Sequence, residues 1–326
     1  MRKLAVMLVL TALLGGPTAC SIAAKSETPH RKPGPGAPAS DENGRVKRVM
    51  KDIKPLLEKD KIARAVERVN RAIERTESEA ALFRLRMTNI RVLLAATLQG
   101  KMKENMLRRQ AAALLEENSG RREERAHLIA GKIYAALGSY DRAGNLLQSY
   151  LDEYPEPPAV KVRNYREKTG KNHPRVMYRY LARRMLDKIN MVGQQVPDFD
   201  VTTLSDETRT PESYTGKVWL LNFWSTDVEA CRKELPNLKK MLATHENDFA
   251  VLGVNMNQRR KKVTSFVDDN NISWAQAHVG QESILPNRFS VQSLPATFLM
   301  DENGTVRAVG LRGKRLRSKV KELVND

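Results

Sequence analysis

The sequence predicts an all-α helical domain followed by an α/β domain, and three observations carry that prediction. Residues 45–190 place apolar residues at helical spacing, interrupted by short Gly or Asp breaks. Residues 191–326 alternate strand-like apolar runs with helical patterns, the signature of layered α/β architecture. A stretch dense in Pro, Gly and polar groups, residues 25–44, separates the helical part from an apolar N-terminus.

The N-terminus begins with Arg2-Lys3, continues as LAVMLVLTALL and ends in small residues, GGPTACSIAA. Residues 1–24 therefore read as a signal peptide, with an apolar core too short for a membrane span. Cleavage after Ala19 would leave Cys20 at the mature N-terminus, the position acylated in bacterial lipoproteins. Pro17 stands where a lipobox takes an aliphatic residue, so ordinary cleavage near Ala23-Ala24 is the alternative. Either route implies an exported protein, periplasmic or anchored at an envelope membrane of a bacterium. Residues 25–44 would then be a disordered linker.

Export leaves Cys231 as the one thiol of the mature chain, with no internal disulfide available. The net charge is +18, of which residues 1–24 hold +2 and residues 191–326 hold +1. The helical part thus carries +15. Its counterpart would be an acidic protein or peptide partner or an anionic envelope surface, unless the charge is only a solvated face. No groove-reading motif points to nucleic acid. The five histidines, at 30, 127, 173, 245 and 278, lack ligand spacing, and TGKVWLL lacks the upstream glycine of a phosphate loop. No metal or cofactor is expected.

Within residues 45–190, AHLIAGKIYAALGSYDRAGNLLQSYLDEYP resembles a tetratricopeptide unit. Gly131 and Tyr134 fall on its first helix, Gly138 and Tyr140 at the turn, Ala143 at the close contact, and Pro155 at the end. Weaker echoes place turns at Asp60 and Gly100, so that the three turns are 40 and 38 residues apart. The resemblance implies a stack of helical hairpins with a concave groove. In the best unit His127, Lys132 and Tyr134 would line it, with Ala143 and Leu147 packed between helices.

In residues 191–326, four segments come in a telling order. They are VGQQVPDFDVTTLSDETRT, GKVWLLNFWST, CRKELPNLKKM and VQSLPATFLMDENG. Together they resemble the entry segment, first core strand, long helix and cis-proline hairpin of the thioredoxin fold. The similarity is narrower still to the TlpA/ResA-like thiol–disulfide oxidoreductases, a redoxin or AhpC-TSA type of envelope protein. The active corner of that family reads W-[AS]-[ST]-W-C-x-P-C-[KR]-x-E-x-P. Trp224, Ser225, Thr226, Cys231, Arg232, Glu234 and Pro236 match it, whereas Asp227, Val228 and Ala230 replace the second tryptophan, the first cysteine and the proline.

The resemblance implies that the exposed first cysteine attacks and the second, a turn inward, resolves the mixed disulfide. Val228 cannot attack, and Cys231 is left in the resolving position. Glu234 matches an acid that assists proton transfer in the family; without a dithiol it becomes a helix residue in local polar contacts. Pro295 matches the cis-proline, and with Leu294 would offer backbone to an extended peptide, while Trp224 would pack beneath the corner. The function expected is a non-catalytic binding or assembly protein of the envelope with a degenerate active site. The alternative is a thiol–disulfide oxidoreductase or redoxin acting through Cys231 alone. A peroxidase is disfavoured, because the threonine that single-cysteine peroxiredoxins need three residues before the thiol is Val228 here. A holder of unfolded exported chains at the cis-proline surface stays open beside the assembly role.

Overall fold

The computed structural model describes residues 39–325 apart from 60, 99–101, 117–120, 171 and 281–282. The segments read as signal peptide and lipidation site, Cys20 included, lie outside the described residues, as do the turn positions Asp60 and Gly100. Among the described residues eight helices come first: α1 (Ala39–Glu58), α2 (Ile62–Glu74), α3 (Glu79–Leu98), α4 (Glu104–Glu116), α5 (Arg121–Ala136), α6 (Tyr140–Glu153), α7 (Ala159–Thr169) and α8 (Pro174–Ile189). The α/β part follows: β1 (Val201–Thr202), β2 (Thr208–Arg209), β3 (Val218–Trp224), α9 (Glu229–Thr244), β4 (Phe249–Asn255), α10 (Arg260–Asp269), β5 (Gln276–His278), α11 (Leu285–Arg288), β6 (Ala296–Met300), β7 (Val306–Val309) and α12 (Gly313–Asn325).

Two expectations change. The linker was placed at 25–44, but α1 already begins at Ala39 and runs through Gly44. A glycine inside a helix costs only about 0.5–1 kcal/mol, so Gly44 does not mark the boundary. The compact units also divide between Thr97 and Leu98, inside the segment read as one helical domain. In the first unit, Val49, Ile53 and Leu57 form the buried stripe of α1, and Ala65, Val66 and Val69 that of α2.

In the second unit α4–α8 are tied to the α/β layers by specific bonds. Tyr140 on α6 donates its hydroxyl to the Val309 carbonyl at 3.0 Å and accepts from the Val309 amide at 2.9 Å. Gln292 donates to the Leu181 carbonyl on α8 at 3.2 Å, and Arg184 to the Asn287 carbonyl at 3.0 Å. Arg315 on α12 pairs with Glu104 on α4. These non-local bonds have no periodic signature, which is why the composition boundary near 190 is not the packing boundary.

The α5–α6 hairpin follows the spacing read from sequence. Gly138 turns it with φ +69°, a conformation that favours glycine. Ala143 and Leu147 are fully buried, and a Cβ on Gly131 would meet the Leu147 side chain at 2.8 Å. The two helices touch because Gly131 has no side chain.

Five strands form the main sheet in the order β5-β4-β3-β6-β7. Strands β3, β4 and β5 are parallel, and β6 and β7 are antiparallel to their neighbours. β3 is central and buried along its whole length, which accounts for its unbroken apolar run. Its side chains alternate between two cores. Val218, Leu220 and Trp224 face α9 and α12, packing with Leu235, Leu238, Leu316 and Val320. Trp219, Leu221 and Phe223 join Phe199, Phe289 and Phe298 on the other side. The C-terminal edge of β3 delivers the chain to the corner that holds the candidate site.

Candidate functional site

The corner is built where β3 ends at Trp224 and α9 begins after Val228, which occupies the N-cap position. Valine offers no side-chain acceptor there, so the free amides of the first turn are uncapped by it. Its carbonyl accepts from the Cys231 amide at 3.0 Å, which fixes the first turn of α9. Pro236 sits one turn further and removes the bond to the Arg232 carbonyl.

Cys231 is 3% exposed and packs among Trp224, Leu235 and Leu238. Burial pushes its thiol up to about 11; the Ser225 backbone and the positive charges of Arg312 and Arg232 act in the opposite direction without overcoming it. The residue is therefore a protonated, shielded thiol at neutral pH. Glu234 is part of a local clamp, its carboxylate accepting from the Gly313 amide at 2.7 Å and from Asn237 Nδ2 at 2.5 Å. Its carboxylate thus joins α9 to the start of α12.

Asp227, standing where the family has a tryptophan, is held rather than free. Asn257 Nδ2 donates to its carboxylate at 2.9 Å and to Thr226 Oγ1 at 2.8 Å, and Lys262 forms an ion pair with it. Asn257 Oδ1 accepts from the Thr226 amide at 2.9 Å, and the Asn257 carbonyl meets His278 Nε2 at 2.7 Å. Arg232 donates to the Thr226 carbonyl. The turn that would carry an exposed nucleophile is thus pinned by polar bonds. Sequence reasoning missed Asn257, Lys262 and His278, because bonds 21 to 35 residues apart leave no local pattern. The one available signal was that Asn255 and Asn257 sit at the C-terminal end of a strand.

Trp224 is 2% exposed, and its Nε1 donates to Gln276 Oε1 at 2.9 Å. It packs beneath the corner and is closed to solvent. The Gln276 amide occupies the space that a side chain on Gly253 would need. The Leu294–Pro295 bond is cis. Pro295 itself is buried, its carbonyl accepting from Arg312 Nη2 at 2.7 Å, while Leu294 is half-buried.

The three groove residues expected on α5 do not line one open surface. Tyr134 is 1% exposed, with the Arg142 guanidinium 4.5 Å and the Arg108 guanidinium 5.8 Å from its ring. The ring is shut off from solvent, with two guanidinium groups close to it. His127 is half-buried with its ring 6.1 Å from that of Tyr154. Lys132 is half-buried as well. Helical spacing alone placed the inner face, and the neighbouring arginines decided what covers it.

Against known proteins, the AhpC/TSA family matches residues 192–309. The thioredoxin-like protein YneN of Bacillus subtilis is 32% identical over 120 residues, covering 36% of this chain and 69% of YneN. The thiol-disulfide oxidoreductase ResA of Geobacillus kaustophilus is 30% identical over 119 residues, covering 36% of this chain and 68% of ResA. Among solved structures, the thioredoxin domain of a thiol-disulfide oxidoreductase from Bacteroides vulgatus is 25% identical, with a TM-score of 0.39, covering 41% of this chain and 98% of that one. The family match begins after α8 and takes in the whole five-stranded sheet. Through that segment the chain belongs to the AhpC/TSA family of thioredoxin-like proteins, with ResA-like relatives.

Proposed function

We propose that the chain is an exported envelope protein that uses a thioredoxin-like domain for binding or assembly and does not exchange disulfides. The observation that carries this reading is the pair Val228 and Cys231: no thiol stands at the start of α9, and the remaining one is 3% exposed. Exchange begins with attack by an accessible thiolate, and neither property is met. The helices α1–α8, basic by sequence, offer the acidic partner its surface. The signal-like residues 1–24 and Cys20 supply the export and membrane attachment. Among the described residues no helix is long and apolar enough to cross a membrane.

Alkylation of Cys231 by iodoacetamide tests the site. Raising the thiol to about 11 means that labelling of the native chain stays slow at pH 8 and climbs with pH toward 11. At pH 8 the expected rate is more than about tenfold below that of the urea-unfolded chain, whose thiol titrates near its ordinary value. Native labelling as fast as unfolded labelling, with an inflection at or below pH 7, would sink the proposal.

A further inference from the structure

A cavity of about 350 Å³ opens beside the C-terminal end of β5. The segment carrying β1 lines it too, tied to β5 by the Leu204 amide, which donates to the Gln276 carbonyl at 2.7 Å. Four polar side chains share the wall: Asp200 just before β1, Arg260 at the start of α10, His278 at the end of β5 and Arg288 at the end of α11. Both guanidinium groups are anchored at one nitrogen and keep other donors free. Arg260 Nη2 donates to the Leu204 carbonyl and the Asp206 carboxylate, each at 3.2 Å, and Arg288 Nη1 donates to the Asp198 carbonyl. His278 Nε2 donates to the Asn257 carbonyl at 2.7 Å, which leaves Nδ1 over. Asp200 makes no side-chain hydrogen bond or ion pair among the described residues. The rest of the wall is largely apolar. Phe199 and Leu285 in it are buried, and Ile284 is 71% exposed, the most of any large apolar side chain among the described residues.

A purely anionic ligand would meet the Asp200 carboxylate, and a purely cationic one the two guanidinium groups, and like charges brought together oppose binding. A neutral apolar ligand would cover all four polar groups without pairing them, at the cost of their hydration. A molecule with both charges at one end and an apolar body suits the whole wall. Its carboxylate takes the free N–H donors of Arg260 and Arg288, and its ammonium group donates to Asp200 and to His278 Nδ1. Its body lies against Phe199, Ile284 and Leu285. The volume is at the lower end of the ~300–1,000 Å³ of small-ligand pockets, which fits a compact ligand. We infer that this cavity binds a free α-amino acid with an apolar side chain. The site uses neither Val228 nor Cys231, so it stands whether or not that corner exchanges disulfides.

Calorimetric titration of the full chain tests this with three probes: L-phenylalanine, phenylpropionate, which lacks the ammonium group, and phenethylamine, which lacks the carboxylate. L-phenylalanine should bind saturably, and each single-charge analogue about tenfold more weakly or worse, the scale of one lost charge-assisted hydrogen bond. Asp200→Asn should weaken L-phenylalanine by the same factor and leave phenylpropionate binding at least as well as in wild type. Arg288→Met should weaken both carboxylates by that factor and leave phenethylamine unweakened. Asp200 and Arg288 are exposed, so both variants should melt with wild type, and a loss of binding then reports the site. The analogue series on the wild-type chain needs no variant to fold. No saturable binding of L-phenylalanine to wild type, equal binding of the three probes, or L-phenylalanine binding unchanged in both variants would each overturn the assignment.

Discussion

Trp224→Ala lowers the stability of the α/β layers by about 3–5 kcal/mol, the range for removing a buried large aromatic side chain. The indole is 2% exposed between β3 and α9, its ring centre 5.7 Å from that of Phe266. Two losses add. The apolar volume leaves a cavity, and Gln276 Oε1 loses the Nε1 donor at 2.9 Å while remaining buried. Trp224→Phe separates them: most of the apolar volume stays, and the orphaned amide alone costs about 1–3 kcal/mol. Urea unfolding followed by far-UV circular dichroism measures both. A loss below about 1 kcal/mol for the alanine variant would mean that the indole is not the support under the corner.

Val228→Cys has the largest expected effect on chemistry, giving a corner that holds one buried thiol an oxidisable pair. Val228 occupies the N-cap position of α9 and Cys231 lies three residues on, with the Cys231 amide bonded back to the Val228 carbonyl at 3.0 Å. The first turn of a helix brings such positions within the ~4.4–6.8 Å between Cα atoms that a disulfide needs. A thiol at the N-cap also faces unpaired amides and the positive end of the helix dipole, which favour its thiolate. Asp227 beside it opposes this, but its charge is offset by the ion pair with Lys262. Glutathione disulfide should therefore oxidise the variant to a form with no titratable thiol among residues 191–326. Two titratable thiols persisting there after oxidant would show that the corner cannot close the bond.

The parts of this molecule legible in sequence are those written in local pattern. The uninterrupted run VWLLNFW announces a strand buried on both faces, and β3 is the centre of the sheet. Gly131, Gly138, Ala143 and Leu147 describe a tight helical hairpin, and α5 and α6 form it. The missing thiol at Val228 is likewise plain from one short motif. What was not legible depends on groups far apart in the chain. Tyr134 looks like a groove residue until Arg108 and Arg142 are brought to its ring. Asn257 reads as a loop residue until Thr226 and Asp227 come within bonding distance, 31 and 30 residues away. Arg312 looks like one more surface cation in a basic C-terminus, and folding brings its guanidinium to the Pro295 carbonyl, 17 residues away. Long-range pairing is set by topology, and the sequence spacing of the partners carries no trace of it.

The central claim, that this thioredoxin-like corner does not exchange disulfides, is tested most directly by turnover. Reduction of insulin by dithiothreitol should proceed at the same rate with no protein, with the wild-type chain and with Cys231→Ala. Acceleration by the wild-type chain that disappears in Cys231→Ala would contradict the account, because it would place a working nucleophile at a thiol that is 3% exposed.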